Sequence, residues 1–170
     1  KRTMVWSLFG LVIHLGFFTS LIQIISYNDL PLTFLELESG KSLIFYIVLI
    51  AILMDSIAFF AGKSLGKRPF ITNVSPNKTL EGFMAAIIVT PLLLSTISFN
   101  IFNLPFFVVL CILVTVSLYS VLGDAFASMM KRVVEVKDYS NLIPGHGGLY
   151  DRLDSHIAAF PCFVFLLNIV

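Results

Sequence analysis

The chain has 170 residues, 58% of them hydrophobic and 12% charged, with a formal net charge of +1. A soluble domain carries about 25% charged and 45–50% apolar residues, so this composition argues against a soluble globular fold. The near-neutral charge, with no long basic run, argues against nucleic acid as a partner. Cys111 and Cys162 each sit inside an apolar segment and form neither a ligand pair nor a disulfide framework.

Five apolar stretches predict five transmembrane helices in an all-α, polytopic membrane domain covering residues 1–170. The first runs from Val5 to Ile25, behind Lys1 and Arg2. Its length and the lack of a small-residue cleavage site favour a span over a signal peptide. The second runs from Ser42 to Ala61 and carries Asp55. A carboxylate inside a span is costly in lipid and is by default a functional-site hypothesis; the plainer alternative is a pairing with a lysine nearby. The third, Phe83 to Phe99, contains Pro91. The fourth runs from Phe106 to Leu122 and the last from Ser155 to Val170, and these three sit near the lower limit for crossing a bilayer. No internal repeat is visible.

Charge sets the orientation. Ten of the eleven bases fall at the N-terminus and in stretches 62–82 and 123–154, all on one side of an alternating five-span path. Basic loops stay in the cytoplasm, so both polar loops are expected to face the cytosol.

Ahead of the third span, Ser75-Pro76-Asn77-Lys78-Thr79-Leu80-Glu81-Gly82 reads as a helix start, with Ser75 as N-cap and Pro76 in the first turn. Lys78 and Thr79 would then stand among free N–H groups, a natural phosphate site, although a capped helix with a solvated lysine fits the spacing equally well. The stretch after the fourth span is richer in chemistry. It holds Asp124, Ser128, Lys131, Arg132, Lys137 and Asp138, then Ile143-Pro-Gly-His-Gly-Gly-Leu-Tyr-Asp-Arg-Leu-Asp154. Pro144, Gly145, Gly147 and Gly148 permit sharp bends and close approach to a ligand. Asp151 and Asp154, three apart, share a helix face and suit a hard cation such as Mg²⁺, with Asp124 as a third oxygen donor. Lys131, Arg132, Lys137 and Arg152 are candidates to hold phosphate oxygens. His146, between glycines, reads as a donor to phosphate. His14 reads as a buried hydrogen-bonding residue, and His156 fits either role.

The residues from Ser128 to Asp154 resemble the signature of phosphatidate cytidylyltransferases (CDP-diacylglycerol synthases). Ser128, Lys131, Arg132, Lys137, Asp138, Pro144, His146, Gly147, Gly148, Asp151, Arg152 and Asp154 fall in register with it. Ser75, Pro76, Lys78, Thr79, Glu81 and Gly82 match the second hallmark of that family. Asp55, Gly62, Gly66 and Lys67 are similar to its Asp-containing span and Gly-Lys pair. The resemblance covers residues 40–170 and makes the chain the C-terminal part of a longer protein of a bacterial inner membrane. It implies transfer of CMP from CTP to phosphatidate, giving CDP-diacylglycerol and pyrophosphate. It also implies metal binding at Asp124 and Asp151 with Asp154 close by, Mg²⁺ with a monovalent cation such as K⁺ beside it, and a homodimer. Catalytic roles are expected for Asp124, Asp151, Lys137 and Arg152. Substrate contacts are expected at Ser75, Lys78, Thr79, Lys131, Arg132, His146, Gly147 and Gly148. The rivals are a non-catalytic membrane scaffold, a CTP-dependent polyprenol- or phytol-type lipid kinase, which would release CDP, and an ion transporter using Asp55, Asp124 and Asp151. The last usually shows a repeat and midplane charges.

Overall fold

A computed structural model describes residues 2–26, 39–71, 75–102, 104–136, 138–140, 148 and 150–170. Helix α1 spans Arg2–Ile25, α2 Ser39–Leu65, α3 Leu80–Phe102, α4 Phe106–Val133 and α5 His156–Ile169. Between α2 and α3 lies an antiparallel hairpin of β1 (Pro69–Ile71) and β2 (Ser75–Thr79), pairing Pro69 with Thr79 and Ile71 with Ser75. A 3-10 turn, Tyr150–Arg152, precedes α5. The all-α membrane architecture expected from composition is what the chain adopts. Gly40–Leu65, Leu80–Ser98 and Phe106–Val133 are long and apolar enough to cross a bilayer, while Gly10–Ile25 and His156–Ile169 are shorter apolar helices.

The helices pack in the order α2, α3, α4, α5, with α1 closing against α5 and α2. Ile24, Leu43, Ile47, Ile50, Leu113, Val116 and Phe163 meet at the centre. Buried Thr90, Ser95, Ser98, Ser117 and Ser120 lie among them, small residues of the kind that let membrane helices approach closely. The Tyr46 hydroxyl and Ser98 Oγ, 2.6 Å apart, join α2 to α3. Ile22, Phe59, Phe60, Phe107 and Phe165 point outward, as side chains facing lipid do.

Two expectations change. Ser75 and Pro76 are not a helix start; they lie in β2, and α3 begins only at Leu80. Proline disfavours a helical conformation in the residue before it and is tolerated at the margin of a two-stranded ribbon. The capping role passes to Thr79, whose Oγ1 accepts the Gly82 N–H at 3.2 Å. The second change concerns α4, which does not stop at Leu122 but continues through Gly123 to Val133. Its polar residues therefore stand on a rigid helix rather than in a loop. Gly123 allows this, because a Cβ there would come within 2.9 Å of Ala158 Cβ and the Asp154 carbonyl. Helix α4 closes with a Schellman motif. The Glu135 N–H bonds to Arg132 O at 3.1 Å, the Val136 N–H bonds to Lys131 O at 3.0 Å, and Glu135 takes the left-handed φ of 58°.

Candidate active site

Two clusters of cations and carboxylates gather at the C-terminal end of α4. The first is built by the hairpin. Glu81, in the first turn of α3, accepts the backbone N–H groups of Lys67 and Arg68 on Oε2 at 3.0 and 3.1 Å. The Leu80 N–H reaches Arg68 O at 2.9 Å. These bonds tie both ends of the hairpin to α3. Close contact with α2 requires Gly62 and Gly82, where a Cβ would fall 2.8 and 3.0 Å from Thr79 Oγ1. The result projects Lys78 across to α4, where its Nζ forms a direct ion pair with Asp124 Oδ2. Asp55 on α2 lies within electrostatic reach of both.

Lys131 organises the second cluster. Its Nζ bridges Asp151 Oδ1 at 2.9 Å and Asp154 Oδ2 at 2.7 Å. All three side chains are nearly enclosed, at 11%, 7% and 4% exposure respectively. The 3-10 turn makes this possible, since positions i and i+3 nearly eclipse there and both carboxylates address one ammonium. Asp151 is further held by the N–H groups of Gly148 (2.8 Å) and Tyr139 (3.0 Å) on Oδ2. Burial works against its ionisation, but the Lys131 bond and these two amides outweigh it and hold the carboxyl below its usual range. Asp154 goes the other way. Burial pushes its pKa up against the pull of Lys131, and the neighbouring charges of Asp124 and Asp151 add to the rise. Among the described residues its buried Oδ1 has no hydrogen-bond partner.

Aromatic side chains brace this cluster. Lys131 Nζ sits 5.2 Å from the centre of the Tyr139 ring, within cation–π range. Tyr139 meets Tyr150 edge to face at 4.8 Å. The Tyr150 hydroxyl lies 2.6 Å from His14 Nε2, and His14 Nδ1 lies 2.6 Å from the Gly10 carbonyl. A carbonyl only accepts, so Nδ1 carries the proton and Nε2 accepts from Tyr150. Burial raises the Tyr150 pKa to about 12, which keeps that phenol a donor.

The structure thus brings Asp124, Lys78, Lys131, Asp151 and Asp154 to one end of α4, and it gives several expected site residues internal partners. Thr79 spends its hydroxyl on capping α3 and Gly148 its N–H on Asp151. Arg132 and Arg152 are exposed nearby. Lys137, His146 and Gly147, together with Pro144 and Gly145, lie outside the described residues, as does the Ser75 side chain. Sequence reasoning did not find the bracing by Tyr139 and Tyr150. Tyr150 and His14 are 136 positions apart, and neither carries a pairing signal.

Among the described residues no group of three His, Cys, Asp or Glu side chains is assembled to hold a metal. Mg²⁺ is commonly bound by one or two carboxylates, with water and substrate phosphates completing its shell. Asp124 and Asp154 fit that pattern, since they feel each other's charge and the buried Oδ1 of Asp154 is an oxygen donor with no other partner.

These features define an integral membrane protein with a phosphate-type cluster of cations and carboxylates at one end of its bundle. The chain belongs to the cytidylyltransferase family, whose family model matches residues 2–170. It is similar to the phosphatidate cytidylyltransferase of Bacillus subtilis (strain 168), at 42% identity over 132 residues, 76% of this chain and 49% of that protein. It is also similar to those of Helicobacter pylori (strain ATCC 700392 / 26695), at 40% over 118 residues, 69% of this chain and 44% of that one, and Staphylococcus aureus (strain COL), at 38% over 134 residues, 78% and 50%. The chain spans about half the length of the curated relatives it matches.

Proposed function

We propose that this chain carries the catalytic half of a phosphatidate cytidylyltransferase, which moves CMP from CTP onto phosphatidate. The observation that carries the reading is the meeting of Lys78–Asp124 with Lys131–Asp151–Asp154 at one end of α4, in a chain whose relatives bear that name. In the reaction a phosphate oxygen of phosphatidate attacks the α-phosphorus of CTP, the bond to the β-phosphate oxygen breaks, and pyrophosphate leaves. A phosphate monoester has a second pKa near ~6 and is already anionic at neutral pH, so no strong base is needed.

What the protein must supply is charge neutralisation and alignment of two polyanions. Lys78, on a hairpin fixed by Glu81 and the Gly62–Thr79 contact, is placed to exchange its carboxylate partner for a phosphate oxygen of CTP. Arg132 and Arg152 add cationic charge at the same end, and Lys137 and His146 belong to the same sequence signature. Lys131 holds Asp151 and Asp154 in place. Mg²⁺ held by Asp124 and Asp154 would neutralise phosphate charge and polarise the reacting phosphoryl group, and a monovalent cation would act beside it. The distribution of bases supports a cytosolic site, where CTP is found, and the bacterial relatives support an inner-membrane location.

The deciding assay uses the full-length chain in detergent with α-labelled CTP, phosphatidate and Mg²⁺, with and without EDTA. Label entering the lipid fraction only when metal is present supports the reading. In a parallel reaction with γ-labelled CTP and a polyprenol or phytol acceptor, label entering the lipid would point to the CTP-dependent kinase instead. No lipid product of either kind would overturn both.

A further inference from the structure

Between α1, α4 and α5 the bundle leaves a cavity of about 760 Å³, within the roughly 300–1,000 Å³ typical of small-molecule sites. Its wall is apolar over most of its extent, with Val12, Leu122, Phe126, Met130 and Ile157 among the lining residues. Its polar groups are few, and most are already satisfied. His14 and Tyr150 bond to each other and stack, so they add ring surface more than hydrogen-bonding capacity. Asp154 belongs both to this wall and to the carboxylate pair on Lys131. The cavity therefore runs from the charged cluster into the apolar layer of the bundle.

Helix α1 faces this space across two glycines. Among the described residues, a Cβ on Gly10 would meet nothing within 4 Å, and one on Gly16 would only graze Pro161 Cγ at 4.0 Å. The space opens at the surface of the bundle, where Val12 and Leu122 of its wall are largely exposed, so an apolar chain can enter it sideways from the lipid phase. The lipid substrate has the same layout as the site: an anionic head joined to hydrocarbon.

We infer that this cavity takes an acyl chain of the lipid substrate, and that Gly10 and Gly16 determine which chains fit. The inference rests on the cytidylyltransferase reading and deepens it. The phosphate is held at the end of α4 while the chain descends between α1, α4 and α5. The open turns of α1 at Gly10 and Gly16 leave room for its full length.

The test compares full-length wild type with Gly10→Leu and Gly16→Leu, using phosphatidates with short, medium and long saturated chains. The ratio of kcat/KM for long over short chains should fall tenfold or more in the variants, the scale on which pockets discriminate a few methylene groups, with the KM for CTP unchanged. Gly16→Ala should lie between wild type and Gly16→Leu. A parallel loss on every chain length, or an unchanged ratio, overturns the inference. So does a loss of thermal stability in both leucine variants, because the space would then hold protein from the rest of the chain or a second copy. A readout that needs no turnover separates this from failure of the enzymatic reading. A phosphatidate with a diazirine near its chain terminus should cross-link to the α4 segment containing Leu122 and Phe126, and Gly16→Leu should abolish that adduct. Cross-linking without any CMP transfer would preserve the cavity assignment and reject the reaction. Transfer without cross-linking would do the reverse.

Discussion

Lys131→Met is the most informative single change. Methionine keeps the unbranched stem of lysine and removes only the ammonium, which contacts Asp151 at 2.9 Å and Asp154 at 2.7 Å. At an effective dielectric of about 20, each contact represents ~6 kcal/mol of Coulomb attraction. Desolvation of three enclosed charges and repulsion between the carboxylates cancel much of it. Breaking a buried pair by removing one partner nets about 3–5 kcal/mol, which for a chain of this size means a melting temperature lower by on the order of 10 °C.

The two carboxylates are not equally exposed to the loss. Asp151 keeps the N–H groups of Gly148 and Tyr139, whereas the Oδ2 of Asp154 loses Lys131 and its Oδ1 has no partner to begin with. Adding Asp154→Asn to Lys131→Met should therefore recover most of the lost stability, and adding Asp151→Asn should recover little. Thermal melts of the four proteins in one detergent measure this directly. Wild-type melting of Lys131→Met, or equal rescue by both second substitutions, would refute the account of Lys131 as the cation that holds this pair.

Lys78→Met should raise the KM for CTP or lower turnover while leaving the melting temperature nearly unchanged, because its pair with Asp124 is half exposed and such pairs add only about 0–1 kcal/mol; steady-state kinetics beside a melt checks both. Gly62→Ala places a methyl 2.8 Å from Thr79 Oγ1 and should cost about 1–3 kcal/mol by overpacking, seen as earlier melting together with weaker CTP use as the hairpin shifts. Glu135→Gly relieves a left-handed residue at the end of α4 and should stabilise by about 0.5–1 kcal/mol, raising the melting temperature by about 2 °C. In a background lacking Cys111 and Cys162, Val134→Cys should resist an impermeant thiol reagent in intact cells and Leu104→Cys should react, and the reverse pattern would invert the proposed topology.

The parts of the fold written in hydrophobic runs were readable directly, because lipid imposes that pattern on any spanning helix. Helix ends were not. Helix α4 outlasts its apolar stretch because Gly123 lets α5 approach and the Lys131 clamp rewards a helix at that point, and both are tertiary causes. Ser75-Pro76 carries the same local signature as a helix start; only the pairing of Ile71 with Ser75 and of Pro69 with Thr79 reveals a strand. For the site, the residue types were legible and their partners were not. The spacing of Asp151 and Asp154 announced a shared face, but nothing local said that an ammonium from α4 would occupy it. His14 was readable as a hydrogen-bonding group, though it is only half-buried, and Tyr150 as its partner was not.

The length of α4 bears on where the chemistry happens. Its 28 residues extend roughly 42 Å against a hydrocarbon thickness of about 30 Å, so about 12 Å of it stand clear of the oily layer if the helix runs close to the normal. With Phe106 at one edge of that layer, Asp124 would fall near the opposite boundary and Lys131 beyond it, among the headgroups. On the proposed function, a diacyl lipid would then react at its equilibrium depth. Drawing it outward would expose methylene groups at ~0.8 kcal/mol each, and a helix of this length would remove that step by carrying the polar cluster toward the headgroups.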